Sequence, residues 1–151
     1  MIAAMAPVID SIEIARSPED VFAYMDQLER HGEWQTQIVS VTRETEGPTR
    51  VGTRATDVRR TPMGKQSVSY EITEYDPPRK VSFRGLNGPI RPVGTMTVEP
   101  IGEGRSRLTL HMELKGHGLL GAILAPLAQR DAHKQVPKDQ QCLKERLEAG
   151  A

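Results

Sequence analysis

The sequence predicts an α+β fold in which a curved antiparallel β-sheet wraps around one long C-terminal helix, in the order β-α-α-β6-α. Three observations carry this reading. Residues 37–115 are dominated by segments of period two separated by Gly- and Pro-containing turns. From Gly118 the spacing becomes helical: Leu120, Leu124 and Leu127 recur at four- and three-residue steps, and Ala128, Ala132, Val136, Leu143 and Leu147 carry the stripe onward until Gly150 supplies a stop. Antiparallel strands joined by short turns need one face covered. Only this last helix, about thirty residues and so roughly 45 Å long, is big enough to do it.

Taken in order, residues 8–15 alternate as a strand with Ile9, Ile12 and Ile14 as its apolar content. Ser17-Pro18-Glu19-Asp20 starts a helix: Ser17 suits the N-cap, Pro18 the first helical position, and the two acids the positive helix end. Val21, Phe22, Met25 and Leu28 form its buried face, His31-Gly32 interrupts it, and residues 33–37 are expected to make another turn carrying Trp34. Strands follow at 37–46, 52–61, 65–75, 80–85, 93–101 and 105–115, with Gly47-Pro48, Pro62-Met63-Gly64, Asp76-Pro77-Pro78 and Gly102-Glu103-Gly104 between them. Residues 85–92, with two glycines and two prolines, read as an irregular loop. Pro126 and Pro137 fall inside the long helix, where a bend is expected at one or both, or where Pro126 ends a short first helix.

Composition narrows the function. One domain spanning 1–151, with 1–7 as a loose tail, is the natural reading of 151 residues. Twenty basic residues balance twenty acidic ones, so no strong field is expected to draw the chain to nucleic acid or to an anionic membrane. The single cysteine, Cys142, fits a reducing, cytoplasmic setting. No apolar run approaches the ~20 residues of a membrane span, so no stable membrane insertion is expected.

Ile12-Glu13-Ile14, the run from Ser17 to Phe22, Trp34 and Val51-Gly52-Thr53 together resemble the SRPBCC superfamily. So do the residues from Tyr70 through Asp76-Pro77-Pro78 to Phe83, then Val98-Glu99-Pro100, the glycine hairpin and Arg107-Leu108-Thr109. This is the helix-grip fold of START-related lipid-transfer domains, birch-pollen-allergen-like proteins and polyketide cyclases/dehydrases. The resemblance runs from Ile12 to the end and rests mostly on turns and caps. It implies a domain that binds hydrophobic ligands in a central cavity, with catalysis in only some branches.

Other motifs carry less. Gly116-His117-Gly118-Leu119-Leu120-Gly121 spells a dinucleotide fingerprint, but that site needs a second parallel strand ending in an acid, and here the chain ends with its helix. His31, His111, His117 and His133 lack metal-ligand spacing and read as surface or loop residues; neither a metal nor a cofactor is expected. Cys142 has no evident base, and no Gly-x-Ser-x-Gly elbow or Walker A loop is present. Arg54, Arg59, Arg60 and Lys65 lie around one hairpin as a solvated face, although one of Arg54 or Arg59 pointing inward would need an acidic partner or ligand. Tyr70 alternates with Val68 and Ile72 on an expected inner face, where a buried hydroxyl wants a partner.

The expected occupant is therefore a hydrophobic, lipid- or polyketide-like small molecule. The residues expected to line its cavity are Trp34, Arg54, Tyr70, Phe83, Met96, Leu110, Leu120, Leu124 and Leu127. With only two Phe, three Tyr and one Trp to plug it, a pocket of roughly 300–1,000 Å³ is expected, opening near Trp34, residues 85–92 and the start of the long helix. The protein is expected to be a monomer or homodimer. An enzyme of the cyclase/aromatase or dehydrase kind is the alternative, with Tyr70, Arg54 or Arg59, and Asp57 as its candidates. A third class is a module that meets a partner through the outer sheet face.

Overall fold

The computed structural model describes residues 6–151. Its elements are β1 (Val8–Ile14), α1 (Pro18–Met25), a 3₁₀ helix (Leu28–Glu33), β2 (Ile38–Arg43), β3 (Arg54–Thr61), β4 (Gly64–Asp76), β5 (Lys80–Gly85), β6 (Ile90–Gly102), β7 (Arg105–Gly116) and α2 (Gly118–Glu148). All seven strands form one antiparallel sheet in the order β1-β7-β6-β5-β4-β3-β2. The α+β fold with a sheet gripping a long C-terminal helix is as the sequence predicts. Ser17 caps α1 by accepting from the Asp20 amide, with Pro18 at the first helical position.

Several boundaries differ: the strand expected over 37–46 already ends at Arg43, and β3 starts at Arg54 instead of 52. The second helical element precedes Trp34 instead of spanning 33–37, because Leu28 is buried there against Ala55, Tyr70 and Ile72. β6 begins at Ile90, so the irregular connection shrinks to 86–89. Pro92 enters this strand just beyond the last β5 pair, Arg84 with Val93, where its missing N–H costs no ladder bond to β5.

Strand register divides the side chains between two faces. Ser11 meets Thr109 at 2.7 Å, Ser82 meets Thr95 at 2.8 Å and Thr56 meets Ser69 at 2.8 Å on the outer face, alongside the Arg54–Glu71 pair at 2.9 Å. Ile14, Leu108, Leu110, Val98, Ile72 and Ala55 point the other way and are buried. Gly94 lies directly under the Phe83 ring, and a Cβ there would stand 2.7 Å from Phe83 Cζ.

α2 packs over β1, β7 and β6 and touches α1. Its inward stripe is Val136, Leu143 and Leu147 in the C-terminal half and small residues, Gly121 and Ala132, toward the start. Gly121 approaches the preceding loop so closely that a Cβ would lie 2.3 Å from the Pro89 carbonyl oxygen. This contact sets the rotation of the helix. Leu120 and Leu127, expected to face the sheet, are instead 57% and 55% exposed, and Leu124 is half-buried. Gly121 on the inner side turns the neighbouring leucines outward. Pro126 does not end the helix, which continues through both prolines.

Leu143, fully buried, and Leu120 therefore differ in structural weight. Leu143→Ala is expected to cost about 2–5 kcal/mol in chemical denaturation. Leu120→Ala should stay within about 0.5 kcal/mol. Equal losses would contradict the helix orientation.

Candidate functional site

Pairing of Ala55 with Tyr70 and of Asp57 with Val68 places Asp57 diagonally beside Tyr70 on the inner face of β3 and β4. Arg59 follows two residues along and lies 3.6 Å from Asp57, so the inward arginine of this strand is Arg59. Arg54 has the opposite parity: it is exposed, bonds Glu71 on the outer face and does not reach the concave side. The Arg59 guanidinium also donates to Gln35 Oε1.

These groups are enclosed and incompletely satisfied. Asp57 Oδ1, the Tyr70 hydroxyl, Trp34 Nε1 and both amide atoms of Gln140 are buried without a hydrogen-bond partner among the described residues. Buried polar atoms are nearly always paired, and two of these exceptions, Asp57 Oδ1 and the Tyr70 hydroxyl, lie together on the inner face of β3 and β4. Burial raises the Asp57 carboxyl above the usual carboxylate range, with Arg59 opposing. Burial raises the Tyr70 hydroxyl too, and the neighbouring Asp57 adds to it. Both groups therefore hold their protons more firmly than in water.

A strap closes one side. Arg60 N donates to the Gln37 carbonyl at 2.8 Å, tying residues 35–37 to β3. Gln37 donates to Asp131 at 3.1 Å, Gln135 to Thr36 Oγ1 at 2.7 Å, and the Thr36 amide to Asp139 at 3.4 Å, tying the same residues to α2. Asp139 is buried and its carboxyl is raised by that burial. Asp10, on β1, is raised by burial as well, with Gln140 close by and opposing the shift.

The apolar wall is built from the expected residues in part. Phe83 meets Tyr70 edge-on with ring centroids 6.3 Å apart, and Phe83 and Met96 are half-buried beside Leu110, which is buried. Trp34 is buried in the core with Phe22, Tyr24 and Leu143. Its ring lies 5.2 Å from that of His31. His31 is the exception to the reading of the histidines as surface residues. Its Nε2 donates to the Met25 carbonyl at 2.6 Å, and burial pushes its pKa down to about 4, keeping the ring neutral. A cleft of about 350 Å³ does occur, but between Arg30, Glu33, Glu145, Arg146, Ala149 and Ala151, beside the C-terminal end of α2 and away from the expected mouth. Among the described residues no three His, Cys, Asp or Glu side chains gather as metal ligands.

The family described as polyketide cyclase / dehydrase and lipid transport matches residues 5–149. The chain belongs to this family. An uncharacterized protein of Mycobacterium tuberculosis is 30% identical over 120 residues, covering 79% of this chain and 83% of that protein. Among solved structures, a Thermus thermophilus protein superposes with a TM-score of 0.79 at 23% identity, covering 96% of this chain and 99% of the other. A START superfamily protein from Mycobacterium smegmatis gives 0.80 at 11%, with coverage of 96% and 99%. The Zhui aromatase/cyclase from Streptomyces gives 0.77 at 12%, with coverage of 93% and 92%. At these identities the likeness is one of fold.

Sequence reading points to Tyr70 and Asp57 but counts Arg54, not Arg59, among the cavity residues, and the register of β3 reverses that choice. It missed Gln35, Asp139 and Gln140. Gln140 had a visible signal: it stands four residues after Val136 and three before Leu143, in phase with the apolar stripe.

Asp57 also yields a stability prediction. Its folded pKa lies above the unfolded value, so the folded state binds the proton more tightly, and stability from this group falls as pH rises from the unfolded pKa through the folded one. Asp57→Asn, which carries no charge to bury, is expected to melt higher than the parent at pH 7, with the gap narrowing toward pH 4. A gap that widens on acidification would show that Asp57 is instead stabilised as the anion.

Proposed function

We propose that the protein binds a hydrophobic small molecule of lipid or polyketide type against the concave face of β3–β7, with a polar group of the ligand meeting Asp57, Tyr70 and Arg59. The observation that carries this is the pair of orphaned polar groups, Asp57 Oδ1 and the Tyr70 hydroxyl, buried side by side on the inner face. Protonated Tyr70 and the guanidinium of Arg59 are donors, and a carbonyl or phenolic oxygen is the complementary group. Phe83, Met96 and Leu110 supply apolar surface for the rest of the molecule, half-buried Leu124 is expected to add to it from α2, and thioethers adapt to irregular shapes. Family membership supports the same reading. The single cysteine supports a cytoplasmic setting.

One observation favours a second reading, acid–base catalysis on the bound molecule. Asp57 and Tyr70 are two titratable groups brought together by register, and their surroundings shift both upward. Asp57 would take a proton from the carbon next to a ketone, and Tyr70 would donate a hydrogen bond to the oxygen that becomes negative.

An environment-sensitive apolar fluorophore is expected to bind and to be displaced by flat hydrophobic compounds. Tyr70→Phe should weaken an oxygen-bearing ligand by one hydrogen bond, about 0.5–1.5 kcal/mol. Leu124→Trp should weaken the fluorophore by filling space, and Arg54→Ala should change neither. Binding unchanged in Leu124→Trp and Tyr70→Phe would remove the site from the concave face. Turnover of a ketide-like substrate that vanishes in Tyr70→Phe and Asp57→Asn, with binding retained, would decide for catalysis.

A further inference from the structure

We propose that the outer face of α2 docks on an anionic lipid membrane. Leu119, Leu120, Ile123 and Leu127 are 80%, 57%, 62% and 55% exposed. At 3.6 residues per turn they fall within an arc of roughly 100°, so they form one ridge along the first part of the helix. The same arc continues into Arg130, Lys134 and Lys138, all exposed and none ion-paired among the described residues. Lys115, also exposed, precedes the ridge. Between Lys115 and Lys138 the sole acid is Asp131, and its carboxylate accepts from Gln37 at 3.1 Å. Soluble surfaces rarely leave four large aliphatic side chains contiguous and bare, so this face has a partner.

Charge and shape select the partner. A second copy would set the same four cations against themselves, which disfavours a symmetric pairing through this face. A ridge carried on a convex helix offers no groove for a peptide. Its apolar part rises about 12 Å along the axis before the cations begin, and the cations span about 12 Å more. With both parts on one face, a helix tilted against a leaflet seats the leucine ridge at the acyl boundary while the cations further along the axis meet the phosphates. Cations near such a surface are drawn to anionic headgroups over a Debye length. No helix among the described residues is long and apolar enough to cross a membrane, so the contact is peripheral.

Vesicle flotation tests it with the full chain. Wild-type protein is expected to float with vesicles of equal parts phosphatidylglycerol and phosphatidylcholine at low salt, and to bind pure phosphatidylcholine at least about tenfold more weakly. Ile123→Asp, and the double replacement Arg130→Glu with Lys134→Glu, should each lose about tenfold or more on the anionic vesicles. Thermal melts report whether the variants fold, and Leu119→Ser serves as a milder substitute if Ile123→Asp does not. The proposal is overturned by no flotation of the wild type, by flotation of the folded ridge variant equal to wild type, or by a wild-type dimer that Ile123→Asp converts to monomer. Binding to polyglutamate without binding to vesicles would assign the face to an acidic protein and likewise overturn it.

Discussion

One helix cannot cover this sheet, and most of the architecture follows from that mismatch. Seven strands at about 4.8 Å spacing make a surface roughly 29 Å wide, whereas a helix with its side chains is about 10–12 Å across. α2 settles over β1, β7 and β6 and leaves the inner face of β3 to β5 to be closed by other means. Curvature brings those strands round, Leu28 of the 3₁₀ helix descends onto Ala55 and Tyr70, and residues 35–37 bridge from β3 to the side of α2. The polar groups of the candidate site lie in this secondarily closed half. The half under the helix is the aliphatic core of Ile14, Val98, Leu108, Leu143 and Leu147.

That division explains why the same fold tolerates buried polar atoms. In the half covered by α2, Gln129 donates to the Ala6 carbonyl at 2.9 Å and accepts from the Leu114 amide at 3.0 Å, mending β7 beyond its last pair with β1, while Gln140 leaves its amide atoms unpaired among the described residues. Across the sheet the accounting is open. Asp57 has one oxygen facing Arg59 and one facing nothing, and Tyr70 has an unused hydroxyl. Unmatched buried groups lower stability, and a chain selected for stability alone would replace them with valine or phenylalanine. Phe83, edge-on to Tyr70, is the apolar neighbour of these unmatched groups.

The strands and α2 were legible because their signals are periodic and local: alternation from 37 to 115, a cap at Ser17, a helical stripe ending at Gly150. The site was legible only as a set of residue types. Whether Arg54 or Arg59 turns inward depends on which residues of β3 face Tyr70, and that register is set by pairing with β4, not by the run of β3 itself. The orientation of α2 was misread for a related reason. Leu120, Leu124 and Leu127 share helical spacing with the true inner stripe, and their bulk made them the obvious core. The deciding contact involves no side chain at all, since Gly121 meets the backbone of Pro89 and Gly116. A residue whose contribution is the absence of a Cβ is invisible to a pattern built on apolar mass.

The two prolines of α2 show how one element reconciles these demands. Each removes the amide that would bond the carbonyl four residues earlier, Ala122 for Pro126 and His133 for Pro137. Both of those earlier residues are exposed, where a freed carbonyl is open to solvent and the usual interior penalty of roughly 3 kcal/mol is reduced. The prolines fall outside the inner stripe, where Ala132, Val136, Leu143 and Leu147 keep contact with the sheet. Long helices on a curved support bend with their convex side to solvent, by lengthening the solvent-side hydrogen bonds. Deleting two such bonds removes the resistance to that bend. A helix of 31 residues can then follow a curved sheet on one side, hold the 35–37 strap on the second and present its leucine ridge on the third.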